Sequence, residues 1–202
     1  MGKCIFTIKL KDILLENTAP NIFVPRRIEG RVERMIKNYI RNGSKGDLDL
    51  SRLKLTELPE ILKDITVDGS FWCSKNHLTS LINSPKYVST HFYCNDNRLT
   101  SLEGAPGRVG DTFWCGGNNL TTLKGAPSRV GGYFDCSYNE LTSLEGAPRT
   151  IPGYFACSRN KLTTLEGAPK SVGGDFYCGN NPVKFTEKQV RAVCDVKGKV
   201  YV

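Results

Sequence analysis

Histidine is nearly absent from this 202-residue chain, which holds only His77 and His91. No close cysteine pair of the C-x2-C kind occurs, and structural zinc sites are built from such pairs. No nucleophile elbow, P-loop, zinc motif or paired-carboxylate constellation stands out. The two histidines fall in different copies of the repeat described below and in different slots, so they form no pair. Nothing in these features argues for catalysis, and neither a cofactor nor a metal is expected. Long apolar runs are missing too. No stretch reaches the 18 residues of a membrane span. The first apolar run is broken by Lys9, Lys11 and Asp12, unlike a signal peptide. Met1-Gly2 opens like a myristoylation site, but Phe6 stands where that motif needs Ser or Thr.

Cysteine, by contrast, is present eight times, and six copies fall at positions 73, 94, 115, 136, 157 and 178, each 21 residues after the last. Other slots keep this register. Phe71, Phe92, Phe113, Phe134, Phe155 and Phe176 precede each cysteine by two. Asn76, Asn97, Asn118, Asn139, Asn160 and Asn181 follow by three. Leucines, a Gly-Ala-Pro run and a valine or isoleucine complete the phrase L-T-S-L-E-G-A-P-x-x-V-G-G-x-F-x-C-x-x-N. A fixed period of this size is the signature of a stacked array. A degenerate copy precedes the cysteine series, with Leu48 and Leu50 in the Phe and Cys slots and Leu53 replacing the asparagine. That makes seven copies. The first step is two residues longer than the rest, and residues 60–63 are expected to form a helical turn there.

Each copy has a readable physics. F-x-C alternates apolar and free positions, so it is a short strand with Phe and Cys facing inward. Gly-Ala-Pro turns the chain on the far side. One copy cannot bury its own apolar face, whereas stacked copies make a continuous core. The asparagines are expected to form a ladder that satisfies buried backbone groups. Cysteines in identical slots are neither a disulfide set nor a metal tetrahedron. They are small buried apolar groups, and a stack of unpaired thiols suits a reducing cytosol.

The segment L-x-C-x-x-N-x-L-x-x-L follows the leucine-rich repeat pattern. The 21-residue phrase resembles the short leucine-rich repeat proteins of tailed bacteriophages and some bacteria, over roughly residues 47–182. The resemblance implies a leucine-rich-repeat solenoid with a parallel β-sheet on one face and turns opposite. It further implies a non-enzymatic interaction module whose outward strand residues bind a protein. If the chain is phage-encoded, the partner is expected to be a host defence or takeover protein, met in the host cytoplasm.

An array needs end caps. Residues 1–46 and 183–202 are expected to supply them. Pro25 opens a helix with Ile28, Val32, Met35, Ile36, Tyr39 and Ile40 as its apolar stripe, and Gly43 ends it. Residues 4–10 alternate partly like a strand, and 12–16 could continue as helix. Thr186 and Gln189 make a capping box for a short helix with Val190, Val193 and Cys194 on one face. Val200-Tyr201-Val202 reads as a last strand.

The net charge of +8 is uneven. Residues 1–46 hold ten Lys or Arg against four Asp or Glu, whereas the repeats hold 13 against 14. Arg26, Arg27, Arg31, Arg34, Lys37 and Arg41 form a candidate basic patch. A basic face attracts nucleic acid or acidic protein, although a solvated helix face is often basic as well.

The candidate binding face follows from strand alternation. One residue before each cysteine stand Trp72, Tyr93, Trp114, Asp135, Ala156 and Tyr177; three before stand Ser70, His91, Thr112, Tyr133, Tyr154 and Asp175. Both rows point outward. Trp72, His91, Tyr93, Trp114, Tyr133, Asp135, Tyr154 and Tyr177 are the expected partner-binding residues, with Tyr138 at the edge. Trp and Tyr dominate interface hot spots. Aromatics also suit a pleated sheet surface, but the inward Phe row already fills the core. Two function classes stay open: a protein-interaction module using this face, and a nucleic-acid binder using the basic caps with the aromatics as a stacking platform. Self-association through the aromatics or the final strand is a third possibility.

Overall fold

The computed structural model describes the backbone of residues 26–202 and the side chains from residue 30. The strand and helix expected over 4–16 lie outside these residues. From Leu48 onward the chain winds into a leucine-rich-repeat solenoid of about seven turns. Each turn contributes a two-residue strand to one eight-stranded parallel sheet. The register is strict: Leu48, Phe71, Phe92, Phe113, Phe134, Phe155, Phe176 and Val200 are successive neighbours across the ladder. The phenylalanines are fully buried and their rings follow one another at 5.1–5.8 Å. The cysteines form a second buried column, all unpaired thiols. Cys94, Cys115, Cys136 and Cys157 each donate S–H to a carbonyl of the next turn.

The asparagines continue the hydrogen-bond ladder where the backbone leaves the strand. Asn118 Nδ2 donates to Cys115 O (3.0 Å) and to Cys94 O of the preceding turn (3.1 Å), and its Oδ1 accepts from Leu99 N (3.0 Å). Asn97, Asn139, Asn160 and Asn181 repeat the pattern. The series starts at Asn76, which accepts from Leu53 N in the copy that lacks its own asparagine.

A second ladder runs beside the first, between the Gly-Ala-Pro turn and the main strand, where the repeat phrase predicts only turns. It pairs Thr66–Val67, Tyr87–Val88, Arg108–Val109 and Arg129–Val130 as one sheet, and Thr150–Ile151, Ser171–Val172 and Asp195–Val196 as another. The break has a covalent cause. The residue after each valine donates its N–H to the preceding turn: Gly110 to Val88 O, Gly131 to Val109 O, Gly173 to Ile151 O. Position 152 is Pro, which has no N–H to give Val130.

The turn glycines are a steric requirement. Gly104, Gly125, Gly146 and Gly167 hold φ between 79° and 92°. A Cβ on Gly125 would lie 2.5 Å from Glu103 N of the turn below. Left-handed backbone and backbone contact together admit only glycine.

Both ends are capped. Helix α1 (Arg26–Arg41) buries Val32, Ile36 and Tyr39 against the first turn. It closes with Ser44 N donating to Tyr39 O and Gly43 N to Ile40 O, Gly43 lying at φ 75°. The Tyr39 hydroxyl donates to Ser44 O (2.6 Å) and accepts from Asp68 N (3.2 Å), tying the helix to the solenoid. A short 3-10 helix (Glu60–Asp64) takes up the two extra residues of the first step. Helix α2 (Glu187–Val193) has the expected capping box from Thr186 and Gln189. Val190 and Cys194 are buried beneath it, but Val193 is 39% exposed. Its departure from the expected apolar face reflects the helix ending there, with Cys194 already extended. No described helix is long and apolar enough to cross a membrane.

Candidate functional site

Register alone arranges the outward face. The column before the cysteines reads Asp49, Trp72, Tyr93, Trp114, Asp135, Ala156, Tyr177, Tyr201, each paired with the next across the sheet. Beside it, three before the cysteine, stand Ser70, His91, Thr112, Tyr133, Tyr154 and Asp175.

The aromatics form two stacks rather than one row. In the first, Trp72 and Tyr93 stack at 6.1 Å, Trp114 meets Tyr93 edge-on at 6.0 Å, and His91 packs on Tyr93 at 5.6 Å. In the second, Tyr133 and Tyr154 stack at 4.4 Å, Tyr177 meets Tyr154 edge-on at 5.9 Å, and Tyr201 lies parallel to Tyr177 at 4.6 Å. The ring surface therefore shifts from one column to its neighbour at Trp114 and Tyr133, and back again at Tyr177. The position it vacates holds Asp135 and Ala156. Apart from Tyr138 at the edge, Trp114 (41%) and Tyr133 (45%), at the crossover, are the most exposed of the expected ring residues. Stacking half-buries the others. Ser70, Thr112 and Ala156, in slots expected to point outward to solvent, are buried. Larger neighbours in the adjacent turns cover these short side chains.

Two depressions open on this face. A groove of about 770 Å³ runs along the first stack, lined by Asp49, Arg52, Trp72, Lys75, Tyr93 and Trp114 among others. Next to it, a notch of about 350 Å³ is walled by Trp114 and Tyr138, floored by Gly116, Gly117 and Ser137, and edged by Asp96 and Asp135. Tyr138 is 59% exposed and carries the Arg159 guanidinium 5.0 Å from its ring centroid.

Burial sets the electrostatics. The Asp135 carboxyl is pushed above its ordinary range by desolvation, against the opposing bond from Ser137 N to Oδ1 (2.8 Å). Burial likewise raises the Tyr93 and Tyr154 phenols, with nearby carboxylates adding to it. The Tyr177 hydroxyl donates to Asp175 Oδ2 (3.1 Å). His91 Nδ1 is buried without a hydrogen-bond partner, 3.7 Å from Asp111 Oδ2. All the ladder thiols are raised by burial, Cys178 to about 11, so they are protonated and chemically quiet at neutral pH.

The structure thus brings Trp72, His91, Tyr93 and Trp114 together, and separately Tyr133, Tyr154 and Tyr177, with Asp135 at the boundary. Three members of the face escaped the sequence reading. Asp49 occupies the outward slot of the degenerate first copy, Asp96 lies two past Cys94, and Tyr201 pairs with Tyr177 at a spacing of 24 rather than 21. Register would have found Asp49 and Asp96, whereas the longer last step hid Tyr201. The basic residues lie elsewhere. Arg31, Arg34 and Arg41 are exposed on α1, Lys37 pairs with Glu33 (3.2 Å), and Arg26 and Arg27 belong to the helix's first turn. Arg31, Arg34, Lys37 and Arg41 line neither the groove nor the notch.

No protein-family model matches the chain, and no curated protein does. Among solved structures, YopM from Yersinia enterocolitica WA-314 is similar at 18% identity and a TM-score of 0.36, over 81% of this chain and 48% of YopM. The chain thus spans about half the length of that protein.

Proposed function

We propose that the chain is a non-enzymatic interaction module that grips a protein partner through its aromatic strand face. The observation that carries this reading is the crossover at Trp114 and Tyr133. Large rings stay 41% and 45% exposed there on a rigid ladder whose core the phenylalanines already fill. Preorganised aromatics bury large area on binding at low entropy cost. Asp96 and Asp135 edge a notch with no lysine or arginine in its lining, where they would repel a phosphate backbone and so favour a protein over nucleic acid. The likeness of the repeat to phage proteins supports a phage origin, and with it a host protein as partner and the host cytoplasm as its location.

The test is capture of the partner from host lysate, with nuclease present, followed by titration of the purified pair. Trp72→Ala and Trp114→Ala should each weaken binding by about 30-fold, the size of a hot-spot loss. Arg31→Glu with Arg34→Glu should leave it within about threefold. If the arginine pair abolishes binding and the tryptophans change nothing, the aromatic face is not the site.

A further inference from the structure

In the other five cysteine copies at least one of the two slots past the cysteine carries a side chain: Ser74-Lys75, Asn95-Asp96, Ser137-Tyr138, Ser158-Arg159 and Gly179-Asn180. In the third cysteine copy both are glycine. Gly116 and Gly117 therefore open a gap in a wall that is closed on either side. The Trp114 indole leans into this gap, since a Cβ on Gly116 would stand 2.8 Å from its Nε1. Asp96 leans in from the turn below, since a Cβ on Gly117 would meet its Oδ1 at 2.6 Å. Tyr138 closes the side toward the turn above, and Asp135 stands beside Trp114 in register.

Two carboxylates thus edge a small aromatic-walled notch, and neither is in an ion pair among the described residues. Among the described residues, Asp96 Oδ2 accepts from the neutral Asn95 amide (2.8 Å), and Asp135 is held by the neutral Ser137, whose N–H donates to Oδ1 (2.8 Å). The notch lacks lysine and arginine in its lining, whereas Arg52 and Lys75 line the neighbouring groove. Resting on the reading of this face as a protein-binding surface, we propose that the notch is an arginine socket: it takes one guanidinium from the partner, laid against Trp114 and Tyr138 with its charge toward Asp96 and Asp135.

The guanidinium fits better than an ammonium. It is planar, stacks on rings and is weakly hydrated, so it enters a half-buried aromatic slot at less cost. Tyr138 already takes Arg159 at 5.0 Å, from the copy on the side opposite the notch. Desolvation without a counter-ion raises Asp135, and a bound cation would relieve that, drawing its carboxyl back toward the ordinary range on binding.

The probe is a blocked Gly-Ser peptide with one central arginine, titrated into 15N-labelled full-length protein while the Trp114 indole N–H is followed by NMR. A saturable shift of that signal, absent with citrulline in place of arginine, is expected. Asp135→Asn should weaken it at least about tenfold, the size of a lost charge-assisted bond. Gly116→Ser restores the side chain common in this slot, displaces the indole and should abolish the shift while the Trp72 indole signal stays in place. Equal binding of the citrulline peptide, an unchanged affinity in Asp135→Asn, or no Trp114 shift up to about 10 mM peptide overturns the socket. So does a Trp114 shift with a single-stranded oligonucleotide and none with the arginine peptide. If partner binding is lost in Trp72→Ala yet unaffected by Asp135→Asn and Gly116→Ser, the socket fails while the aromatic face stands.

Discussion

Replacing one ladder asparagine should cost less than its hydrogen-bond count suggests, and replacing two adjacent ones should cost more than twice as much. Asn139 makes one bond that nothing else can make: its Oδ1 accepts from the buried Leu120 N–H at 3.0 Å. Its Nδ2 bonds are shared. Cys115 O takes Asn139 at 3.1 Å and also Asn118 at 3.0 Å; Cys136 O takes Asn139 at 3.0 Å and also Asn160 at 3.0 Å. In Asn139→Ala both carbonyls keep a donor, and only Leu120 N–H is orphaned. An orphaned buried amide costs about 1–3 kcal/mol and each of the two shared bonds about 1 kcal/mol net, so the single change should destabilise by about 3–5 kcal/mol. In Asn118→Ala with Asn139→Ala, Cys115 O loses both donors inside a closed core. That adds a desolvation cost of about 1–3 kcal/mol that neither single change carries. The control is Asn97→Ala with Asn160→Ala, whose carbonyl partners do not overlap. It should be additive within about 0.5 kcal/mol. Urea midpoints by far-UV circular dichroism, at matched slopes, give the four single and two double values. An additive adjacent pair would refute the shared-acceptor account of the ladder.

Three further outcomes follow from the same geometry. Gly125→Ala puts a Cβ 2.5 Å from Glu103 N at φ 85° and should destabilise by about 2–4 kcal/mol in the same urea assay; a loss under about 0.5 kcal/mol would mean the turn can rebuild. Pro152→Gly restores an N–H where Val130 O waits, so the new amide at position 152 should be protected from hydrogen exchange and the two flanking sheets should join; rapid exchange there would show that something other than the missing donor separates them. The ladder thiols have folded pKa values raised by burial, so the unfolded chain releases their protons first. Their contribution to stability is complete below the ordinary thiol range, near 9, and is lost as pH climbs from there toward the raised folded values, about 11 for Cys178. Unfolding titrations from pH 7 to pH 11 should show stability falling above pH 9, and the disulfide reagent DTNB should label the ladder thiols only at the rate of unfolding; fast labelling of the native protein would contradict their burial.

The solenoid was legible because every copy repeats one decision. Phe and Cys alternate with free positions, so the strand, its inward column and its outward neighbours follow from a period of two, and the period of 21 sets the register between turns. The second ladder was harder to see, because a two-residue strand such as Arg108–Val109 contributes one buried valine and no alternation. Its interruption could have been read directly, since Pro152 replaces residues that carry an N–H. Ranking the outward positions by type failed where neighbours decide the outcome. Thr112 and Ala156 have outward slots yet are buried, because the side chains on adjacent turns are larger. Residue type therefore does not give exposure on this sheet; the contrast between a residue and its two column neighbours does.

The same contrast governs where binding chemistry can arise. Slots that conform to the repeat build the core and the ladder, and they are interchangeable between copies. A departure in one slot changes a local volume without disturbing the register, because each strand is held by backbone and asparagine bonds that do not involve the outward side chains. Gly116-Gly117 is such a departure, and it removes two side chains between Asp96 and Tyr138. Asp135, standing where Trp114 and Tyr93 would predict another ring, is a second. The two fall on adjacent turns, so a gap in the wall and an uncompensated carboxylate meet at one place. On a surface this regular, the pairing of two departures within one turn of each other is what separates a site from a pattern.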